Sequence, residues 1–379
     1  MTNKINIRNI LSVYSRWLFY IKACRVDKKI VVIESDDWGS IRTSSKESYN
    51  TLLKNGFKLN NSPYSKDALE TNKDLEELYN VLLKFKGSDN NPPVFTANII
   101  MANPDFLKIK EDDFNNYYYE NVSETCNTYE SSNKVITLWK DGLNNRSFVP
   151  QLHAREHVKY WTWLEDLKNL KNEATCTFDL KMCGLPSKVS PTKTSYYNPP
   201  YVSSKEIEKY KINLNVLVGE GISLFEDIFG YKSDTVIAPN CTWTDEIEKI
   251  WEKNHIKFIQ GGYLQENFDK NVKHIPHFLG QKSKTTNMHY LVRNCSFEPS
   301  YTNNPDQWKK TLKQVDNALK NKFPAIISSH RVNYVGRIDS KNRENGLTQL
   351  SKLLNAILKK HPDSIFLDSS TFANNYLKN

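Results

Sequence analysis

Short apolar runs alternate with amphipathic helical patterns along all 379 residues of the chain. The runs are rich in β-branched residues, which is typical of buried strands, and the segments between them repeat apolar residues at helical spacing. Strict alternation of this kind favours parallel β/α architecture. The predicted strands are 31–33, 94–101, 148–152, 235–239, 256–260, 289–297, 324–330 and 365–368. The predicted helices are 74–85, 158–170, 204–229, 244–253, 306–319 and one around 350–358.

Two adjacent carboxylates, Asp36 and Asp37, follow the first strand just before Gly39 turns the chain. Open α/β sheets and β/α barrels carry their chemistry at the carboxyl ends of the strands. Neighbouring carboxylates repel each other unless a cation or a proton lies between them. A structural alternative is that one Asp caps the next helix while the other is solvated. This stretch alone leaves both interpretations open.

Imidazoles follow two later strands: His153 and His157 come after strand 148–152, and His330 ends strand 324–330. The first pair leads into the predicted helix 158–170, and in a helix residues four apart share one face, so these two imidazoles can converge on one cation. Together with Asp37 they would supply two nitrogens and a carboxylate. That donor set leaves room for water and is typical of catalytic zinc sites.

The order of these motifs resembles that of the NodB-homology polysaccharide deacetylases, of which the chain would be a divergent member. The resemblance implies a distorted (β/α) barrel with long loop insertions at 40–73, 105–146, 179–203 and 262–288. It also implies one divalent metal ion, expected to be Zn²⁺. Carried over by position, it implies Asp36 as the general base, Asp37, His153 and His157 as the metal ligands, and His330 as the general acid.

The chain departs from that family's pattern in its later motifs. Ile237 stands where an Arg that steadies the base is usual, and the family's Asp and Trp near Gln260 are missing. Arg155 and Arg293 are the candidates to replace the missing Arg. Within the other motifs, Trp38 separates Asp37 from Gly39, and Ser328 takes the place of the usual Leu.

Several side chains near the motifs are predicted to bind the substrate. Trp38 could stack on a sugar ring, although packing in the core is the favoured alternative, and the strand end at Pro239 would shape the cleft. The residues that follow His330 are expected to line the same pocket. The predicted substrate-binding residues are Trp38, Arg155, Pro239, Arg293, Asn333 and Tyr334.

The predicted function is a metal-dependent hydrolase that removes an acetyl group from an amino sugar or glycan in bacterial surface polysaccharide synthesis. One rival is a zinc peptidase, because residues 153–157 also fit the His-x-x-Glu-His pattern with Glu156 as the base. Another is a glycosidase that pairs Asp36 with Glu34 or Glu156. A non-catalytic glycan-binding protein on the same scaffold is the third, motivated by the missing Arg at position 237.

The net charge of +9 comes from 52 Lys and Arg against 43 Asp and Glu, scattered along the chain. Scattered charge argues against a nucleic-acid groove but permits an acidic glycan or an anionic membrane as a partner. The six cysteines form no Cys-x-x-Cys pair, which argues against a zinc knuckle.

The N-terminal part, 1–28, is predicted to be an amphipathic segment, and 29–379 a single barrel domain. Residues 9–23 are aromatic, apolar and basic. We expect this helix to dock on the domain, with peripheral membrane contact and a lipid-linked substrate as the alternative. Because no apolar run approaches a membrane span and the first residues do not resemble a signal peptide, a cytoplasmic location is predicted.

Overall fold

The computed structural model describes residues 7–193, 195–200, 204–266, 274–302 and 304–377. Residues 1–6 of the predicted N-terminal segment, 194 and 201–203 of the predicted insertion at 179–203, and 267–273 of the one at 262–288 lie outside this description. The strands are β1 Ile30–Trp38, β2 Phe95–Ile100, β3 Ala102–Pro104, β4 Tyr119–Asn121, β5 Phe148–Ala154, β6 Thr235–Ile237, β7 Phe258–Gly261, β8 Leu264–Gln265, β9 Ile275–Pro276, β10 His289–Val292, β11 Cys295–Ser296, β12 Ala325–His330 and β13 Ile365–Phe366. The helices are α1 Ile7–Lys22, α2 Lys46–Lys54, α3 Asn72–Leu82, α4 Phe106–Glu111, α5 Val122–Thr128, α6 Val135–Asn144, α7 Tyr160–Lys168, α8 Asn172–Asp179, α9 Ser204–Lys209, α10 Leu214–Phe229, α11 Asp245–Lys253, α12 Gln307–Lys320, α13 Ser340–Lys360 and α14 Ser369–Tyr376.

The main sheet has the order β10-β7-β6-β5-β2-β1-β12-β11, with β13 paired to the start of β1. All of its strand pairs are parallel. Helices connect most of the strands, as parallel pairing requires. The curled parallel sheet with its helices confirms the predicted distorted (β/α) barrel.

The two edges of the sheet are joined by consecutive residues. β10 lies at one edge and β11 at the other, and only Arg293 and Asn294 separate them. The Arg293 amide donates to the Gly261 carbonyl (2.9 Å), and the Asn294 amide donates to the Ile326 carbonyl (3.1 Å). These two residues therefore form the seam of the barrel, and Arg293 lies at the same end of it as the carboxyl ends of β7 and β10.

β1 is the strand around which the barrel is packed. All nine of its residues are buried, which explains its continuous run of Val and Ile. It pairs with β2 on one side and β12 on the other, and the β12 register sets Asp36 opposite His330. The sheet thus brings two predicted site residues together although 294 positions in the sequence separate them.

Some predicted elements are interrupted in the structure. The predicted helix 204–229 is two helices, α9 and α10, because Lys211 between them has a φ of 51°, which an α-helix does not accommodate. The predicted strand 289–297 is broken at the seam into β10 and β11. Helices α2, α4, α5, α6, α8 and α14 were not predicted, since most are short and polar.

The first helix, α1, packs one face on the barrel. Phe19 and Ala23 belong to the main hydrophobic core, whereas Trp17 on the other side of the helix is exposed. Among the described residues, no helix combines the length and the apolarity needed to cross a membrane.

Gly346 allows α13 to approach the segment that follows β12. A Cβ atom at this position would overlap the carbonyl oxygen of Asn333. We expect Gly346→Ala to lower the free energy of unfolding by about 1–3 kcal/mol, because the backbone of one element must move. In the matched control Gly219→Ala, on α10, the new methyl group meets no atom within 4 Å. Urea titrations should show the control unchanged or up to about 1 kcal/mol more stable; equal destabilisation of both would contradict this packing.

Candidate active site

The predicted catalytic and metal-binding residues all line one cleft at the carboxyl ends of the strands. The cleft has a volume of about 1490 Å³. Its floor includes Asp36, Asp37, His153, His157 and His330. The predicted loop 179–203 borders the same cleft through its described residues Pro186, Lys188 and Tyr197, among others.

Asp36 and Asp37 reach the cleft together because β1 is irregular there. Successive strand residues normally point to opposite faces of a sheet. The pairing of β1 with β2 shifts register between Ser35 and Trp38, as in a β-bulge, and Asp37 has a φ of 75°. A positive φ is uncommon for a residue other than Gly, and such strain is found most often at functional sites.

Asp37, His153 and His157 offer ligand atoms that all lie within 4.8 Å of one another. The Nδ1 of His153 lies 2.9 Å from the carbonyl of Ile237, and its Nε2 lies 3.6 Å from the Oδ1 of Asp37. A proton on Nδ1 that is donated to this carbonyl leaves Nε2 with a free lone pair facing the carboxylate. This is the orientation that metal-binding histidines usually have.

His157 faces the ring of His153, with ring centroids 5.4 Å apart. The predicted helical geometry is wrong: His153 lies in β5 and His157 in the loop before α7, so strand and loop, not one helix face, bring them together. Nδ1 of His157 is buried and has no hydrogen-bond partner within the described part of the chain. Burial, assisted by the Arg42 cation, lowers the pKa of His157 to about 3.

These side chains fit a divalent metal ion. His157 is neutral at physiological pH, as a ligand must be, and its buried Nδ1 has no hydrogen-bond partner among the residues that the structure describes. Burial raises the pKa of Asp37, but the Arg42 guanidinium beside it holds this pKa well below its usual range, so the carboxylate is ionised. Two imidazoles and one carboxylate are the donor set of open zinc sites.

Arg42 was not predicted and is the cation closest to these ligands. Its guanidinium donates to Oδ1 of Asp37 (3.0 Å) and lies 4.1 Å above the ring of Tyr197. It is also 3.7 Å from the buried carboxylate of Asp67. Arg42 therefore holds the same Asp37 oxygen that faces His153.

Asp36 is held by Arg293 from the barrel seam. Two guanidinium nitrogens donate to its two oxygens at 2.6 and 2.7 Å, and Asn98 donates to Oδ1 at 2.7 Å. Burial raises the pKa of Asp36, but Arg293 outweighs it and lowers this pKa to about 2. Arg293 thus makes the contact with Asp36 that was expected of the Arg missing at position 237. Arg155 pairs with Glu156 and Glu220 instead. Arg293 also lines the cleft, and its predicted contact with substrate stays a prediction.

The same guanidinium also neutralises Glu34. Nε of Arg293 donates to Glu34, and the Ser369 hydroxyl donates to the other oxygen at 2.6 Å. Glu34 is completely inaccessible, and its pKa is raised by burial. With no exposure to the cleft, it is a partner of Arg293 inside the barrel.

His330 is held by Glu298, which follows β11. Nδ1 of His330 lies 2.6 Å from Oε1 of Glu298, and Nε2 lies 3.8 Å from Oδ2 of Asp36. Burial lowers the pKa of His330, but Glu298 and then Asp36 outweigh it and raise it to about 9. His330 is therefore protonated at neutral pH, with Nε2 directed toward the base. Asn333 donates to the other oxygen of Glu298 (2.7 Å) and holds it in place.

Five of the six predicted substrate-binding residues, all except Arg293, do not line the cleft. Trp38 is completely buried, with its ring edge-on to Phe148 and stacked on Tyr334, so the packing alternative holds. Tyr334 is equally buried, where its hydroxyl lies 2.8 Å from that of Ser329. Pro239 is buried beside the cleft wall that Ala238 and Asn240 form.

Arg155 lies away from the ligand cluster. Its guanidinium is paired with Glu156 and Glu220 and lies 4.5 Å over the ring of Tyr119. Because the guanidinium pairs with these carboxylates and does not line the cleft, the predicted contact of Arg155 with substrate is wrong. Asn333 also differs from the prediction, since it acts on Glu298 and is itself inaccessible.

Aromatic side chains form the mouth of the cleft. Tyr301 stacks on the ring of His330 at 6.2 Å, and Tyr64 meets that ring edge-on at 5.9 Å. The hydroxyls of these two tyrosines are hydrogen-bonded to each other. No sequence pattern pointed to Tyr64. Tyr301 lies three positions after Glu298, the partner of His330, and so comes near the site along the chain. Flat aromatic surfaces next to the polar groups suit a sugar ring.

The metal-ligand geometry predicts a selective effect of His157. We expect His157→Ala to weaken Zn²⁺ or Co²⁺ binding by about 100-fold or more, because one of three protein ligands is lost. The control His289→Ala changes a partly exposed imidazole in β10 and should bind the metal normally. Isothermal titration calorimetry and the visible spectrum of the Co²⁺ form would measure both; equal affinities would contradict the assignment.

The comparisons with known proteins give weak matches. Residues 220–336 match a family model described as a sulfotransferase domain, which covers less than a third of the chain and excludes Asp37, His153 and His157. A search of curated proteins found no significant match.

Solved structures with similar folds include a probable polysaccharide deacetylase from Pseudomonas aeruginosa PAO1, at 9% identity and a TM-score of 0.46, covering 93% of this chain and 94% of that one. A 4-alpha-glucanotransferase from Thermococcus litoralis has 8% identity and a TM-score of 0.45, covering 93% and 40%. A CE4 family pseudoenzyme from Bacillus anthracis has 12% identity and a TM-score of 0.31, covering 93% and 66%. Because these TM-scores lie below 0.5, we derive the function from the site itself.

Proposed function

We propose that the protein is a metal-dependent carbohydrate deacetylase that hydrolyses an N-acetyl or O-acetyl group of an amino sugar or glycan. The observation that carries the proposal is the arrangement in one cleft of a three-residue ligand cluster beside a carboxylate and a protonated imidazole. Each of these two groups has its own charged partner, Arg293 for Asp36 and Glu298 for His330.

Asp37, His153 and His157 would hold the metal, for which we propose Zn²⁺. A divalent cation supplies a Lewis acid that polarises the acyl oxygen and lowers the pKa of water. Asp36, kept ionised by Arg293, accepts the proton of the attacking water. His330, kept protonated by Glu298, donates a proton to the departing amine or alkoxide.

The substrate is proposed from the form of the cleft. Tyr64 and Tyr301 offer ring surfaces next to His330, and Tyr197 adds a third ring stacked on Arg42. An open cleft of about 1490 Å³ has room for several sugar units. A role in bacterial surface polysaccharide synthesis, in the cytoplasm, remains part of this proposal.

The rival enzymes lack a suitable second group in the cleft. The peptidase needs Glu156 as base, but this carboxylate is 1% exposed and accepts two hydrogen bonds from Arg155. The glycosidase needs Glu34 or Glu156 beside Asp36, and Glu34 is inaccessible. The non-catalytic glycan-binding protein differs from our proposal only in activity, which the next experiment measures.

Acetate release from acetylated amino sugars and glycans by the Zn²⁺-loaded protein tests the proposal. We expect Asp36→Asn and His330→Gln each to lower kcat by about 10²–10⁴-fold, the usual contribution of a general base or acid. Metal affinity, measured in parallel by calorimetry, should stay close to that of the unmodified protein, since neither residue is a ligand. Metal binding without acetate release from any substrate would support the glycan-binding alternative and refute the deacetylase. Loss of activity in Glu156→Gln alone would instead support the peptidase.

The pairing of His330 with Glu298 predicts a shift in the pH profile. His330 must be protonated to act as an acid, so activity is lost as the pH rises through its pKa. Because Glu298 raises this pKa, Glu298→Gln should move the alkaline limb of kcat to lower pH. A profile of kcat between pH 6 and 10 would measure the shift. A purely structural role would lower kcat equally at every pH, and that result would refute the assignment.

A further inference from the structure

We propose that α1 docks the protein onto an anionic lipid surface through its exposed apolar face. This face carries large side chains with more than half of their surface exposed: Ile10 (54%), Val13 (67%), Trp17 (56%) and Ile21 (53%). Their spacing of three and four residues places them along one side of the helix. Tyr14 and Tyr20, also exposed, flank the same side.

The opposite face of α1 is already packed, so the exposed face is not waiting to fold onto the barrel. Phe19 is 2% exposed and contacts the rings of Tyr263 (5.4 Å) and Phe323 (5.0 Å). Leu18 and Ser15 are buried beside it. The helix is therefore fixed on the domain with one apolar side facing outward.

The charge of this region selects an anionic partner. The first 26 residues contain five basic residues and no Asp or Glu. The basic residues are Lys4, Arg8, Arg16, Lys22 and Arg25. An apolar face with Trp, bordered by basic side chains, is the pattern of helices that lie in the plane of a membrane surface, where each cation near anionic headgroups adds about 1 kcal/mol.

A second copy of the chain fits this face less well. In a two-fold dimer the same patch occurs on both partners, so Arg16, Lys22 and Arg25 of one copy would approach their counterparts. No carboxylate of the first 26 residues could compensate these charges. A lipid surface supplies the negative charge and covers the apolar side chains at the same time.

The cleft opens beside this helix. Arg16, Phe19 and Tyr20 of α1 form part of the wall of the same cleft that contains Asp36 and His330. A protein docked through α1 would hold the cleft next to the lipid headgroups. The docking itself does not depend on the proposed hydrolysis.

Vesicle sedimentation with the full chain tests the inference. We expect binding to vesicles of phosphatidylcholine with about 30% phosphatidylglycerol, and much weaker binding to phosphatidylcholine alone or in 0.5 M NaCl. The double variant Trp17→Ser/Ile21→Ser should reduce the partition coefficient by about tenfold or more. The control Leu107→Ser/Leu170→Ser removes two apolar side chains of similar exposure, 67% and 76%, outside α1 and should bind normally.

A second variant separates charge from apolar contact. Lys22→Glu leaves the apolar face intact and should weaken binding only to the anionic vesicles. Unchanged melting temperatures would show that all variants are folded, as expected for exposed positions. Equal binding by the two double variants, or no dependence on lipid charge, would overturn the proposal. It would also be overturned if the chain bound no vesicles and sedimented as a dimer that the α1 double variant converts to monomer.

Discussion

The site depends on the ion pairs that Arg293 forms with two buried carboxylates, Glu34 and Asp36. Glu34 and Asp36 lie two positions apart on the central strand, and both are almost inaccessible to water. Without a cation between them, their ionised forms would repel in a medium of low dielectric constant. Arg293 reaches both only because the edges of the sheet meet at its own backbone. The residue at the seam of the barrel is therefore also the cation that keeps the candidate base, Asp36, ionised.

Similar pairing balances charge elsewhere at this end of the barrel. Arg331, the residue after His330, is completely buried and pairs with Asp67 and Glu70 instead of lining the pocket. Arg42 bridges from Asp67 to Asp37. Removing one member of such a buried network leaves an uncompensated charge, which is far more costly than losing an exposed ion pair. The carboxylates of Asp37, Asp67 and Glu70 are thus each paired with an arginine, and these ion pairs support the ligand cluster.

The sequence was sufficient to predict that the candidate ligands lie at one edge of the sheet, but not to identify their partners. Asp37 and His330 could be assigned because each ends an apolar run, and the carboxyl ends of parallel strands share one edge of the sheet. The His153–His157 pair was found by its spacing, although a strand and a loop produce the convergence. Arg293 could be named only as one of two candidates for the missing Arg and as a substrate contact, and no sequence pattern paired Glu298 with His330. The seam sets the contacts of Arg293, and no periodicity encodes contacts across more than 250 residues. Glu298 meets His330 because β11 pairs with β12.

The packing of Trp38 explains why a core residue separates Asp37 from Gly39 in this chain. The irregularity in β1 turns Asp37 into the cleft, and the next side chain must then enter the core, where Trp38 stacks on Tyr334 and donates to the Ser35 hydroxyl at 3.0 Å. Gly39 follows with a φ of 83°, and a Cβ there would come within 2.7 Å of the Ile100 carbonyl. Glycine is thus required at position 39, directly after Trp38, while Asp36 and Asp37 both line the cleft. Trp38 can lie in the core between Asp37 and Gly39 because Asp37 itself adopts the unfavourable positive φ. The hydrogen bond from Arg42 holds the Asp37 carboxylate in this conformation.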